Sequence, residues 1–145
     1  MEKNIYVRQL IGNTFAGKAD SGHWVMMDTK TEVGGHAAGT TPKELVLMGL
    51  AGCTSMDVIP ILKKKRSPVV GYECNVKGVE REEHPKIFTE IHIEYVFYGD
   101  GIKPEDVERA IDLSQTKYCG VSAQLSASAK LTHSYRIEPA SKLLE

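Results

Sequence analysis

The sequence predicts an α+β fold, with mostly antiparallel sheets set around one long helix. Three observations predict it. A capped apolar run from Thr41 to about Lys65 is too long for a strand and too apolar for a surface helix. Two segments flanking Glu83-His84-Pro85 alternate with period two. The element order is two strands, a long helix, two strands, two helices and one strand.

Asn4 to Phe15 alternates loosely, with Ile5, Val7, Gln9 and Ile11 on one face, and reads as the first strand. Gly17 to Gly22 is turn-like, and His23 to Asp28 reads as a second strand completing a hairpin. Thr29 to Thr40 is polar and contains Gly34, Gly35 and Gly39, so it reads as a loop. Thr41 is placed as N-cap, Pro42 as the first helical residue and Glu44 as the closing member of a Thr-x-x-Glu capping box. Leu45, Val46, Leu47, Met48, Leu50 and Ala51 make the first half of this helix apolar nearly all round, so burial on most sides is expected. Gly49 and Gly52 weaken the helix and are expected to admit close packing against another helix. Pro60 lacks an amide hydrogen and is expected to kink the helix or start a new turn. Lys63 to Arg66 places cations at the helix end, where they oppose the dipole.

Val69 to Arg81 and Lys86 to Tyr98 read as paired strands. Ile87, Thr89, Ile91, Ile93, Tyr95 and Phe97 share the face expected to be buried. Gly99-Asp100-Gly101 ends the second strand. Pro104-Glu105-Asp106 opens a helix running to about Lys117, a short helix follows Cys119, and Lys130 to Ile137 is the last strand. The tyrosines, Trp24 and the phenylalanines are spread as sheet-packing residues, not as a base-stacking platform.

At 145 residues the chain is expected to form one domain, 1–145. Its net charge of -1 gives nucleic acid and anionic membranes no hold. No stretch is read as a membrane span, and the start Met1-Glu2-Lys3-Asn4 lacks a secretory apolar core. With three cysteines, an odd number, a secreted disulfide scaffold is not expected, so the chain reads as cytoplasmic with reduced thiols. A helix so apolar needs more cover than a short chain supplies, which points to a homodimer.

The cysteines carry the functional signal. Cys53 lies in the apolar helix and Cys119 at the start of a later one. They are 66 residues apart, so CxxC spacing does not apply. Cys119 at a helix start favours the thiolate, and Lys117 is close in sequence. Cys53 gains little from the dipole and needs a cation; Lys18, Lys43 and Lys117 are the candidates. Asp57, one turn after Cys53, opposes its ionisation unless a cation pairs with it. Cys74 sits mid-strand and reads as a small apolar side chain. His23, His36, His84, His92 and His133 show no ligand spacing, so no metal is expected; His36, in the glycine loop, is kept as a candidate of interest.

The segment Thr41-Pro42-Lys43-Glu44-Leu45 through Ala51-Gly52-Cys53 resembles the first motif of the OsmC/Ohr family, the osmotically inducible and organic hydroperoxide resistance proteins. Cys119-Gly120-Val121-Ser122 resembles the second, usually Cys-Pro-Val-Ser. The resemblance runs from about residue 4 to 138. It implies an OsmC-like fold forming an intertwined homodimer, with the long helices buried at its centre and sites at the interface. It further implies a thiol peroxidase in which Cys53 attacks an organic hydroperoxide and becomes a sulfenic acid. Cys119 then resolves it as a disulfide, and an external dithiol or lipoyl-type protein resets the pair without any cofactor. Peroxidase members carry a Glu ten residues before the first cysteine, paired with an Arg from the hairpin. Here that position is Lys43, Glu44 is nine before and has its capping role, and the hairpin offers Lys18, which is not a planar clamp. Asp57 and Gly120 are further departures. The resemblance therefore leaves two alternatives beside the peroxidase: another thiol chemistry at Cys53, or a small-ligand site at the dimer interface.

Overall fold

The computed structural model describes residues 1–144 and has mixed α+β content in two three-stranded sheets. Two compact units are present, Met1–Val46 and the chain from Leu47 onward.

The first unit is an antiparallel meander of β1 (Ile5–Ile11), β2 (Thr14–Ala19) and β3 (Trp24–Met27). The single strand expected over 4–15 is thus two strands. Gly12 takes φ 53 and, with Asn13, reverses the chain inside the expected strand. The strand β2 then occupies part of the segment read as a turn. Ile5, Val7 and Ile11 remain exposed on this meander. Beside it, Ile5, Val7, Val25, Met27 and Leu45 line a mainly apolar hollow of about 270 Å³ that Lys18 also borders.

The loop after β3 is organised by Asp28. Its carboxylate accepts from Thr14 Oγ1 at 2.8 Å and from the amides of Thr29, His36 and Ala38 at 2.7, 3.2 and 3.2 Å. Gly35 is required here because a Cβ would overlap the Thr29 carbonyl. The helix α1 (Pro42–Lys64) then begins with the expected capping box. Glu44 Oε2 accepts from the Thr41 amide at 2.7 Å and from Thr40 Oγ1 at 2.9 Å, while the Glu44 amide donates to Thr41 Oγ1 at 3.3 Å.

In the second unit, β4 (Gly71–Glu80) and β5 (Phe88–Tyr98) pair antiparallel, and β6 (Lys130–Glu138) pairs parallel with β5. The connection from β5 to β6 carries α2 (Pro104–Leu113) and α3 (Gly120–Leu125), as a parallel pair requires a crossover. The expected burial of one face holds from Ile91 onward, at Ile91, Ile93, Tyr95 and Phe97, but Ile87 is exposed and Thr89 half-buried; on the opposite face Glu90 and His92 are exposed, while Val96 and Tyr98 are buried. His92 bridges Thr132 and Ser134 on the strand face at 2.8 Å each.

Leu50, Thr54, Val58 and Leu62 form one fully buried stripe of α1 at i, i+4 spacing. The apolar members join β5 and Val107, Ala110 and Ile111 of α2 in the core. Burying a leucine side chain of this kind stabilises the fold by about 2 kcal/mol. The remainder of α1 departs from expectation within this chain. Val46, Met48 and Met56 are exposed, and a Cβ on Gly49 or Gly52 would meet nothing within 4 Å among the described residues. The glycines therefore admit no close partner from the chain itself. The helix continues through Pro60 without interruption. It is also long and apolar enough to cross a membrane by length and composition, which corrects the expectation that no stretch meets that test. The expectation counted unbroken apolar residues, whereas this run contains only one charged side chain, Asp57, between Leu45 and Leu62.

Candidate active site

Cys53 follows Gly52 on α1, half-buried at the margin of the core. Cys119 reaches the same place from a different element. After α2 the chain widens into a π-type turn over 114–118, closed by the Cys119 amide donating to the Ser114 carbonyl at 2.8 Å. Cys119 leaves that turn in extended conformation and N-caps α3, its Sγ accepting from the Ser122 amide at 3.4 Å. The Cys53 thiol lies near Cys119 and makes its ionisation harder. All three cysteines are free thiols.

The helix start does not give Cys119 an activated thiol. Only 3% of it is exposed, and burial pushes its pKa up. The Ser122 hydroxyl and amide pull the other way, and the neighbouring Cys53 raises the value further. Burial outweighs the α3 terminus. Lys117 does not serve Cys119 as expected, because its ammonium lies 5.3 Å from the Tyr118 ring centroid on the exposed side of the turn.

The other expected residues fall in two groups. Asp57 lies one turn beyond Cys53 and accepts from Ser114 Oγ at 2.9 Å. Lys18, Lys43 and Glu44 belong to the first unit. Lys18 sits 5.6 Å from the Trp24 ring centroid, Glu44 is engaged in the capping box and Lys43 is exposed at the helix start. His36 Nδ1 lies 3.2 Å from Thr14 Oγ1 and 4.0 Å from Asp28 Oδ2. Among the described residues, no three His, Cys, Asp or Glu side chains converge on a metal-sized centre.

The structure adds residues that sequence reasoning missed. Beneath the thiols, Thr54 Oγ1 lies 2.7 Å from Tyr95 OH and 2.9 Å from Ser114 Oγ. Gln115 Nε2 donates to Thr54 Oγ1 at 3.1 Å and to Tyr95 OH at 2.8 Å. Burial pushes the Tyr95 phenol up to about 12, with Thr54 and Gln115 opposing and Cys74 and Cys119 adding to the rise. Cys74 packs on the other flank. Its thiol is raised by burial and lowered by Tyr72 and Ser55, and Ser55 Oγ lies 2.9 Å from Tyr72 OH. The available sequence signal was Thr54 itself, the single polar residue in the stripe Leu50, Thr54, Val58, Leu62.

Comparison with known proteins places this arrangement. Residues 34–134 match the family described as OsmC-like protein. Protein YhfA of Escherichia coli is 40% identical over 131 residues, spanning 90% of this chain and 95% of that protein. A crystal structure of a hypothetical protein from Aquifex aeolicus superimposes with a TM-score of 0.84 at 34% identity, covering 96% of this chain and 98% of the other. An organic hydroperoxide resistance protein from Legionella pneumophila shares the fold, with a TM-score of 0.70 at 13% identity over 93% of this chain and 96% of its own. The chain belongs to the OsmC-like protein family.

Proposed function

We propose that this OsmC-family chain is a thiol-dependent peroxidase that reduces organic hydroperoxides. The observation that carries the proposal is the apposition of Cys53 and Cys119, brought together by α1 and the π-type turn. A half-buried thiol open to small molecules, backed by a buried one, suits attack by the first and capture by the second. The Cys53 thiolate takes the terminal oxygen of ROOH; the O–O bond breaks, the alkoxide leaves with a proton as ROH, and Cys53 becomes a sulfenic acid. The Cys119 sulfur then displaces hydroxide from the sulfenic acid, and the hydroxide takes up the proton given up by Cys119 and leaves as water as the disulfide forms. A dithiol, in solution or lipoyl-type, reduces the disulfide by exchange, and no metal or organic cofactor takes part.

The working form in this proposal is a homodimer acting in the cytoplasm. Its support is the unpartnered surface of α1, where Met48 and Met56 are 57% and 79% exposed and Gly49 and Gly52 leave room for a second helix. The single-domain expectation over 1–145 belongs to the same proposal.

The test is a thiol count on reduced protein before and after one equivalent of cumene hydroperoxide, repeated with hydrogen peroxide and with Cys53→Ser. Rapid loss of two thiols, faster with the organic peroxide and absent in the variant, is expected. Loss no faster than that of free cysteine would overturn the peroxidase and leave an electrophile or ligand at the same thiols as the reading to pursue.

A further inference from the structure

The two thiols come from different elements, and something must hold those elements in register. Cys53 rides on α1, and Cys119 ends the π-type turn over 114–118. That turn is a wide one: the Cys119 amide donates to the Ser114 carbonyl, five residues back, at 2.8 Å. Bonded to the Gln115 carbonyl instead, the turn would close one residue tighter and carry Cys119 round the helix axis by about 100°. The reach of Cys119 toward α1 therefore depends on which residue closes the turn.

The side chains at the head of the turn fasten it to α1 beside Cys53. Ser114 Oγ donates to Asp57 Oδ2 at 2.9 Å. A hydroxyl carries a single proton, so Ser114 Oγ accepts from Thr54 Oγ1, 2.9 Å away. Thr54 follows Cys53 in the chain and Asp57 lies one helical turn beyond it, so both anchors belong to the stretch of α1 that bears Cys53. Gln115 adds a second fastening. Its Nε2 donates to Thr54 Oγ1 at 3.1 Å and to Tyr95 OH on β5 at 2.8 Å. Ser114 and Gln115 are consecutive residues, yet both reach the one hydroxyl of Thr54. Ser114 and Thr54 are wholly buried, so water does not compete for the bond between them. Ser114 thus holds α1 with its side chain and Cys119 with its carbonyl.

We propose that Ser114, with Thr54 and Gln115, is a pin that locks the π-type turn to α1 and so fixes Cys119 within reach of Cys53. The inference rests on the thiol-pair reading and deepens it. Ser114, Thr54 and Gln115 are positioning residues: they act through the place they give Cys119 and take no part in making or breaking bonds to sulfur. A pinned pair has a high effective concentration, which favours the disulfide over the dithiol. Without the pin the tighter turn becomes open to 114–119, and Cys119 spends part of its time turned away from Cys53. The consequence of the pin is a disulfide that forms readily and resists reduction.

The test is an exchange equilibrium and needs no peroxide. Full-length protein carrying Cys74→Ser is equilibrated with reduced and oxidised glutathione. The Cys53 and Cys119 thiols pass two electrons and two protons to glutathione disulfide, which leaves as two glutathione thiols while the protein S–S bond forms. Counting protein thiols after an acid quench gives the equilibrium constant. Ser114→Ala and Thr54→Val are expected to lower it about tenfold, which makes the reduction potential less negative by about 30 mV. Thr54→Ser keeps the hydroxyl and should restore the wild-type constant. Ile91→Ala opens the core on β5, four residues before Tyr95, and should lower the melting temperature with the constant unmoved. Gln115→Met, at a half-buried position, gives the same direction of shift should Ser114→Ala fail to fold. A constant unmoved in the folded variants, no rescue by Thr54→Ser, or an equal fall in Ile91→Ala would overturn the pin. So would wild-type protein that forms no Cys53–Cys119 disulfide with glutathione disulfide. The pin and the peroxidase fail separately. Hydroperoxide consumption with the constants unmoved would overturn the pin alone. The expected shifts without hydroperoxide consumption would overturn the peroxidase reading and leave the pin standing.

Discussion

Asp28 and Asp57 each end a polar network, but one network converges and the other runs in series. Asp28 is a hub: four donors from Thr14, Thr29, His36 and Ala38 point into one carboxylate. Asp57 is a terminus: one donor reaches it, and that donor is the last of three hydroxyls in line. A hub fixes a loop because every bond must break together for the loop to move. A series passes a change at one end to the other because each bond is set by the next. The first unit uses its acid to fix a loop, and the second uses its acid to end a buried chain of hydroxyls.

The largest effect expected on this comparison comes from Asp28→Ala. It leaves the amides of Thr29, His36 and Ala38 and the Thr14 hydroxyl without their acceptor in a dry setting. Hydrogen exchange should show those three amides losing protection while β5 keeps it. Retained protection would mean the glycine loop is held by its backbone bonds alone. The same hub makes an acid prediction. Burial, the largest single influence, works to raise the Asp28 pKa, but the four hydrogen bonds together outweigh it and hold the value at about 2. A carboxyl depressed on folding contributes stability above its unfolded pKa and loses it as pH falls through the folded one. Order in the loop should therefore fade between about pH 4 and about pH 2, read by amide signals of 28–38.

Next in size is Thr54→Val, which breaks the series in its middle. The valine fits the volume but leaves Tyr95, Ser114 and Gln115 without a shared partner. A loss of about 1–3 kcal/mol in denaturant unfolding is expected, the penalty for stranding buried polar groups. Tyr95→Phe should cost less than Thr54→Val, since it removes an end member of the hydroxyl chain. The reverse order would show that the phenol, not the threonine, is the joint of the network.

How much of this was legible depends on how far apart the deciding residues lie. The capping box at Thr41 and Glu44, the buried face of β5 and Cys119 at a helix start are all set by neighbours a few positions away, and the structure keeps them. The reversal at Gly12-Asn13 was also local, but Leu10 and Ile11 before it and Phe15 after it disguised it as strand interior. The buried hydroxyl network was out of reach. Thr54, Tyr95 and Ser114 come from α1, β5 and the π-type turn, and each alone reads as an ordinary polar residue near a core. The parallel pairing of β5 with β6 is likewise fixed by the crossover and not by either strand's own pattern. Cys119 shows a local signal giving the wrong sign, because the helix start promised a thiolate and burial prevailed.

Ser122→Ala probes that balance at Cys119 with a smaller effect. The buried Ser122 hydroxyl, which makes no hydrogen bond beside the neutral thiol but would favour the thiolate, is removed, while the amide bond to sulfur stays. The thiolate absorbance of Cys119 should titrate at higher pH than in wild type, measured with Cys53→Ser and Cys74→Ser to silence the other thiols. Since folding raises this thiol's pKa, the folded state holds the proton more tightly than the unfolded chain does. That contribution to stability is full below the unfolded thiol's pKa and is lost as pH rises through the folded value. Ser122→Ala widens the gap between the two values. It should therefore deepen the alkaline loss of stability slightly while slowing disulfide closure at neutral pH. A titration unmoved by Ser122→Ala would mean that the amide alone supports the thiolate, and the side chain would then be a packing residue.

The smallest effect belongs to Thr41→Ala, in the first unit. It removes the hydroxyl that accepts from the Glu44 amide but leaves Glu44 bonded to the Thr41 amide and to Thr40. Half of a reciprocal cap is lost, so about 1 kcal/mol or less is expected. The value of the measurement lies in where the loss appears. A cap acts on the first turn of α1, which is remote along the helix from Cys53 and Thr54, so disulfide closure between Cys53 and Cys119 should keep its wild-type rate while the melting temperature falls a little. If closure slowed as well, fraying at Pro42 would be reaching the thiols along α1. The series ending at Asp57 would then have to be redrawn as part of a longer mechanical unit that includes the helix start.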